Sequence, residues 1–257
     1  MWNDVVELRD FYRSALGQMT ARAVRRRIRA IWPNVKGDRV LGVGFATPYL
    51  RTFTEEAERV IAVMPAAQGV MHWPDQGPGQ VLLAEETELP LPDRSIDRLL
   101  LAHALESSPH PGVLLREAWR VLSDRGRLLV VAPNRAGLWS HADNTPFGKG
   151  QPYTRSQLNA LLREDMFMPT GCEPALFFPP SERRLALSWA PAIEELGARW
   201  FSRFSGVLVM EASKQYYAAP VEKAAVKRAR LAEALGGLKR PAVTGPFEPA
   251  GRREHRY

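Results

Sequence analysis

A turn built from small residues follows the first apolar run of the chain and could hold a bulky ligand against the backbone. Residues 39–48 read RVLGVGFATP, which predicts a strand, a tight turn and the start of a helix. Gly42, Gly44 and Ala46 leave the main chain accessible at this turn. The N–H groups that begin the helix would point at the ligand. This arrangement is typical of a binding site in an α/β protein.

Two histidines and a long loop are the candidates for acid–base chemistry. His103 and His141 are of the residue type that most often acts as a general base. Residues 134–153 lack periodicity over about 20 positions, and ordered loops of that length usually have a function. The loop could bring polar and aromatic side chains to one pocket: Arg135, Trp139, His141, Asp143, Lys149 and Tyr153. The alternative is a lid that packs Trp139 and Phe147 onto the sheet and binds nothing. Glu106 and Asp143 are further candidates for a base.

The elements that would position these residues are clearest in residues 84–134. Two runs of strand length, Ile96–Ala102 and Arg127–Ala132, flank a segment with helical periodicity. That segment starts at Pro111, and its apolar positions are Leu114, Ala118, Val121 and Leu122. Strand, helix and strand in this order predict a βαβ unit with parallel strands.

The rest of the chain supplies further strands and helices around this unit. Residues 4–31 are predicted as one long amphipathic helix that ends at Trp32-Pro33, with Arg22, Arg25, Arg26 and Arg29 on its polar side. The other predicted strands are Arg39–Gly44, Arg59–Val63, Gln80–Ala84, Glu173–Phe178 and Gly206–Ala212. Thr154 and Gln157 form a capping-box pattern for a helix to about Glu164, and another helix is predicted near 181–201. Residues 221–235 are predicted as a short helix and 238–257 as disordered.

The segments LPLPDRSIDRLLLAHALE and LLREAWRVLSDRGRLLVVAPN resemble the class I S-adenosylmethionine-dependent methyltransferases, within them the type 11 group. The resemblance implies an α/β fold with a Rossmann-like, seven-stranded, mostly parallel sheet. Helices would lie on both faces and between the first five strands, and the last strand would be antiparallel. The domains would be a helical cap at 1–36, the methyltransferase-like domain at 37–213, and a basic helix and tail at 214–257.

The resemblance also implies roles for individual residues. S-adenosyl-L-methionine is the implied cofactor, and its predicted contacts are Gly42, Gly44, Ala46, Met64, Glu85, Glu86 and Leu101. In the family, the position of Glu85 faces the adenine amino group, and that of His103 lines the methionine and acceptor side. The predicted catalytic residues are His103, His141 and Tyr153.

The chain departs from the family pattern at the residues that usually hold the cofactor. Gly42 stands where an acid is usual, and Ala46 and Pro48 replace two glycines. Met64, twenty residues after Gly44, stands where a carboxylate grips the ribose. A thioether accepts hydrogen bonds only weakly, so its presence should weaken cofactor binding by about 1.5–3 kcal/mol.

Composition narrows the classes of partner. The net charge is +7, but ten Lys and Arg against four Glu lie in residues 214–257, leaving 25 basic and 24 acidic residues in 1–213. This concentration of charge in a tail argues against a nucleic-acid groove and leaves a protein partner for the tail as one hypothesis. The single cysteine excludes an internal disulfide and a Cys-rich zinc site, and no metal is expected. The absence of a signal core or long apolar run favours a cytoplasmic protein without a transmembrane segment.

Two functions from different classes therefore compete. The first is a methyltransferase acting on a small molecule held by the 134–153 loop. The second is a non-catalytic protein that keeps the fold, has lost the cofactor and binds a partner or ligand. A dehydrogenase is disfavoured because Thr47 breaks the G-x-G-x-x-G pattern and no acid follows at ribose distance. An RNA methyltransferase is disfavoured by the near-neutral body of the chain.

Overall fold

The computed structural model describes residues 2–215, apart from the side chains of Arg184 and Ser202. The helices are α1 (Val5–Arg13), α2 (Ala15–Ile31), α3 (Thr47–Leu50), α4 (Pro111–Val121), α5 (Arg155–Glu164) and α6 (Arg184–Trp200). The strands are β1 (Arg39–Gly44), β2 (Arg59–Pro65), β3 (Val81–Ala84), β4 (Ile96–Ala102), β5 (Leu122–Pro133), β6 (Phe167–Ala175) and β7 (Val207–Lys214). Short 3-10 turns lie at Leu138–His141, Pro146–Gly148 and Ser202–Phe204. The helix predicted at 221–235 and the tail at 238–257 lie outside the described residues.

The seven strands form one sheet in the order β3-β2-β1-β4-β5-β7-β6. Strands β1 to β5 pair in parallel, and β7 runs antiparallel to both β5 and β6. The predicted mostly parallel sheet with an antiparallel last strand is therefore confirmed. The strand order reverses between β1 and β4, and open α/β sheets bind ligands beyond the carboxyl ends of the strands at such a switch point.

Two apolar layers cover the sheet. On one face, α2, α3 and α6 pack over side chains such as Leu100, Leu129 and Val209. On the other face, α4 and α5 pack over Leu99, Leu101 and Val130. Each layer consists of side chains that alternate along the strands, as expected for a sheet buried on both faces.

Several elements differ from the sequence prediction. The helix predicted over 4–31 is two helices, because Ser14 is extended (φ −66°, ψ 161°) and its side chain accepts a hydrogen bond from the Gly17 N–H. The predicted helices between successive early strands are wrong in part: the described residues 66–80 contain no helix, and α3 is a single turn. The strand predicted at 173–178 begins earlier, at Phe167, because it pairs along the whole of β7. The capping box of α5 is confirmed. Within residues 2–215, no helix is both long and apolar enough to cross a bilayer.

Candidate active site

The turn after β1 requires glycine at its first position. Gly44 has a φ of +85°, and a Cβ atom there would lie only 2.3 Å from the carbonyl oxygen of Ala102 at the end of β4. The turn therefore passes directly over the switch point of the sheet. The next residues, Phe45 and Ala46, are buried.

The space beside Gly42 is filled by the protein itself. A Cβ atom at Gly42 would lie 2.6 Å from both the Ala46 Cβ and the Leu50 Cδ1 atoms. The acid that the family places at this position therefore has no room here.

The hollow at the end of β2 is occupied by an apolar cluster. Met64 is fully buried and packs with Phe45 and with Val5 and Leu8 of α1. The Tyr12 ring of α1 stacks on Phe45, with 5.7 Å between ring centroids and 19° between planes. An adenosyl group does not fit beside Gly44 while these side chains keep their places. We call the space beyond Gly44 and Met64, which α1 fills, the crevice.

Helix α1 is held across the crevice from both sides. The Val5 N–H donates to the Gln68 carbonyl (2.9 Å), beyond β2. On the opposite side, Lys149 Nζ lies 2.5 Å from Glu7 Oε2 in an exposed ion pair. The main chain connects α1 to α2 through one extended residue, Ser14.

A buried chain of polar groups lies beneath α1. The Tyr12 hydroxyl is 2.7 Å from His103 Nε2 and 2.6 Å from the Tyr49 hydroxyl. His103 Nδ1 is 3.4 Å from Glu106 Oε1, and both side chains are about 1% exposed. The left-handed backbone of His103 (φ 52°) aims its ring from the end of β4 into this group. A carboxylate beside one imidazole nitrogen can stabilise the protonated ring when the other nitrogen takes up a proton.

Burial keeps the phenols around this group neutral. It raises the pKa of Tyr12 well above its ordinary value, and the neighbouring Tyr49 adds to the effect. Burial likewise raises the pKa of Tyr49. Burial, with the Glu106 carboxylate as a smaller cause, raises the pKa of Tyr153 to about 12.

These shifts predict a loss of stability at alkaline pH. An unfolded tyrosine ionises near pH 10.0, whereas folded Tyr153 holds its proton to about 12. The contribution is complete below pH 10 and disappears as the pH rises to 12. In Tyr153→Phe, the free energy of unfolding should therefore fall less between these pH values, by on the order of 2 kcal/mol. Urea denaturation at a series of pH values measures it, and an unchanged slope in the variant would contradict the assignment to Tyr153.

Comparisons with known proteins find similarity in part of the chain. The family model for the methyltransferase domain matches residues 40–130. The curated protein named "Probable S-adenosylmethionine-dependent methyltransferase Rv3030" of Mycobacterium tuberculosis is 35% identical over 116 residues, which are 45% of this chain and 41% of that protein. Residues 40–130 are therefore similar to a methyltransferase domain, and this match covers less than half of the chain. The match spans about two fifths of the length of this curated relative.

Solved structures of methyltransferases share the fold. A chain from the complex between the Haloferax volcanii Trm112 methyltransferase activator and a methyltransferase superposes with a TM-score of 0.59, at 17% identity over 79% of this chain and 94% of that one. A methyltransferase of Thermotoga maritima, described as a "possible histamine N-methyltransferase", gives 0.56, at 17% identity over 82% of this chain and 96% of that one. At these identities the likeness concerns the fold alone.

The methyltransferase fold gathers only some of the predicted site residues. His103 lies in the buried polar group, and Tyr153 lies near it with its hydroxyl donating to the Leu105 carbonyl (3.3 Å). Glu85 and His141 are exposed. Glu86 is buried and lies 3.4 Å from the Ser108 hydroxyl. Leu101 is fully buried in the layer under α4 and α5. The roles predicted for all these residues stay predictions.

The partners of His103 were not predicted by the sequence as a group. The sequence placed Tyr12 only within the helix predicted over residues 4–31, and Glu106 was a further candidate base without a partner. The spacing of His103 and Glu106 at i, i+3 was a signal for their proximity. No local pattern indicated Tyr12 or Tyr49, because the first is 91 residues from His103.

The long loop over residues 134–153 packs onto the fold and also lines a cavity. Trp139 and Phe147 are buried, and the Trp139 indole donates to the Phe178 carbonyl (2.8 Å), as expected for a lid. Asp143 and Lys149 instead line a cavity of about 240 Å³ between the loop and α1. That volume is below the roughly 300–1,000 Å³ of typical ligand pockets.

Proposed function

We propose that this protein is an S-adenosylmethionine-dependent methyltransferase for a small-molecule acceptor, and that α1 must leave the crevice before the cofactor binds. One observation carries the proposal: α1 supplies three of the side chains that fill the crevice, Val5, Leu8 and Tyr12. Helix α1 lies outside residues 40–130, which the family model matches. The obstruction therefore comes from a segment appended to the methyltransferase domain.

The residues beneath α1 are suited to act as a general base. While α1 fills the crevice, which we call its closed position, the Tyr12 hydroxyl is within hydrogen-bond distance of His103 Nε2. Displacement of α1 would free this nitrogen to take a proton from an acceptor hydroxyl or amine, while Glu106 stabilises the imidazolium. The cofactor, when bound, supplies an activated methyl group, so that positioning of the acceptor accounts for much of the rate.

The size and lining of the cavity support a small, polar acceptor. The cavity of about 240 Å³ lies directly against α1, and its charged lining residues are Glu7, Asp143 and Lys149. It opens beside the same helix that covers His103. Movement of α1 would therefore join the cavity to the crevice.

A second candidate function is a scaffold that has lost cofactor binding. The specific observation that favours it is the packing around Gly42, which leaves no room for the usual acid. Met64 removes the other usual carboxylate. In this case the crevice is permanently part of the core, and α1 has no second position.

Calorimetry with S-adenosylhomocysteine distinguishes the two functions. The methyltransferase proposal predicts weak but measurable binding to the wild-type protein. Met64→Asp should strengthen it about 10- to 100-fold, because a carboxylate at the end of β2 accepts both ribose hydroxyls.

Met71→Asp is the matched control, since it places the same charge in the same apolar cluster but away from the strand end. Loosening of the apolar cluster is common to both variants, so Met64→Asp should bind the ligand at least about tenfold more tightly than Met71→Asp, a difference of about 1.4 kcal/mol. Absence of heat for the wild type and for Met64→Asp would favour the scaffold and overturn the proposal.

A further inference from the structure

Helix α6 has two apolar faces, and only one of them is buried. On the inner face, Glu194 accepts hydrogen bonds from the N–H groups of Leu176 (3.0 Å) and Phe177 (2.7 Å). A Cβ atom at Gly197 would lie 2.3 Å from the Phe177 Cβ atom. These contacts fix the rotation of α6 about its axis, and with it the face that points to solvent.

The outer face carries large apolar side chains in a regular row. Its members are Leu185, Trp189, Ala192, Leu196 and Trp200, followed by Phe201 and Phe204 beyond the helix end. Spacings of three and four residues place the helical members on one side. Leu185 is 77% exposed, Trp189 64% and Trp200 70%. We call this row the outer stripe.

Arginines surround the outer stripe. Arg183, Arg199 and Arg203 are exposed on or next to α6. Arg26 of the adjacent α2 lies 3.6 Å from Glu195 in an exposed ion pair. Glu182 is the other exposed acid of this segment, so that the margin of the stripe is positively charged.

We propose that the outer stripe docks the protein on a membrane surface that contains anionic lipids. A helix with exposed Trp, Phe and Leu on one side and arginines along its margin is the type that lies in the lipid interface. Each arginine near such a surface adds to the attraction. A second copy would bring like charges together at the same margin. The sequence after residue 215 is itself basic, which disfavours it as an occupant.

Co-sedimentation of the full chain with lipid vesicles tests this proposal. The probes are vesicles of phosphatidylcholine alone and vesicles with about one third phosphatidylglycerol. We expect binding to the anionic vesicles, weakened by high salt, and little binding to the neutral ones. Leu196→Ser should lower partitioning about tenfold, because the leucine no longer transfers from water to lipid.

Leu83→Ser is the matched control, since Leu83 is 52% exposed against 60% for Leu196 but lies on β3, at the opposite edge of the sheet from β6. It should leave vesicle binding unchanged. Equal losses in both variants, or wild-type protein that stays in solution with anionic vesicles, would overturn the proposal. A dimer on size-exclusion chromatography that Leu196→Ser dissolves, without vesicle binding, would assign the stripe to a second copy instead.

Discussion

Leu8→Ala is expected to raise the apparent affinity for S-adenosylhomocysteine by about 30-fold or more. Leu8 of α1 is fully buried in the crevice. Truncation of a packed leucine to alanine lowers the stability of that packing by about 2–5 kcal/mol. This loss of packing free energy destabilises α1 in its closed position and leaves the walls of the crevice unchanged. A ligand that competes with α1 gains the same free energy until α1 is mostly displaced. Calorimetry on both proteins measures the change.

Leu162→Ala provides the matched control for this experiment. Leu162 is also fully buried, but it belongs to α5 and packs in the apolar layer under α4 and α5, away from the crevice. The variant should lose comparable stability in urea denaturation without any gain in affinity. Equal affinities for Leu8→Ala and the wild type would show that α1 does not compete with the ligand.

Gly44→Ala is expected to lower the free energy of unfolding by about 3 kcal/mol or more. The new Cβ atom would lie 2.3 Å from the Ala102 carbonyl and 2.9 Å from the Ala104 Cβ. Neither neighbour can move freely, because one is main chain and the other is a fully buried residue just after β4. The unfavourable left-handed backbone at φ +85° adds to the loss.

Gly37→Ala separates the two causes. Gly37 has nearly the same backbone conformation (φ +80°), but a Cβ atom there has no described neighbour within 4 Å. This variant should lose only the backbone part, about 1 kcal/mol. Urea denaturation of both variants gives the difference, and equal losses would mean that the approach to Ala102 is harmless.

The sequence predicted the sheet well because its signals are local. Strand Ile96–Ala102 has the predicted bounds, and the helix begins at Pro111 as predicted. Leu122, predicted as a helical position, is instead the first residue of β5. Strand β1 and the Gly44 turn were also located correctly. In each case the pattern repeats within a few residues, so that periodicity and turn chemistry suffice.

The crevice could not be predicted in the same way because long-range contacts form it. Tyr12 meets Phe45 and His103 only after α1 folds across the finished sheet. The apolar stripe of residues 4–31 suggested one continuous helix, and nothing in it marked Ser14 as extended. The absence of the usual acids was visible at Gly42 and Met64. The apolar side chains of α1 that replace them come from a segment distant in sequence, so no local pattern indicates them.

Tyr12 couples the release of α1 to the exposure of His103. The same hydroxyl that anchors the N-terminal helix also caps the imidazole nitrogen of His103. Under the proposed function, an idle enzyme would thus carry a masked base, and unmasking would coincide with admission of the methyl donor. Premature proton abstraction in an unloaded molecule would be suppressed without any additional regulatory subunit.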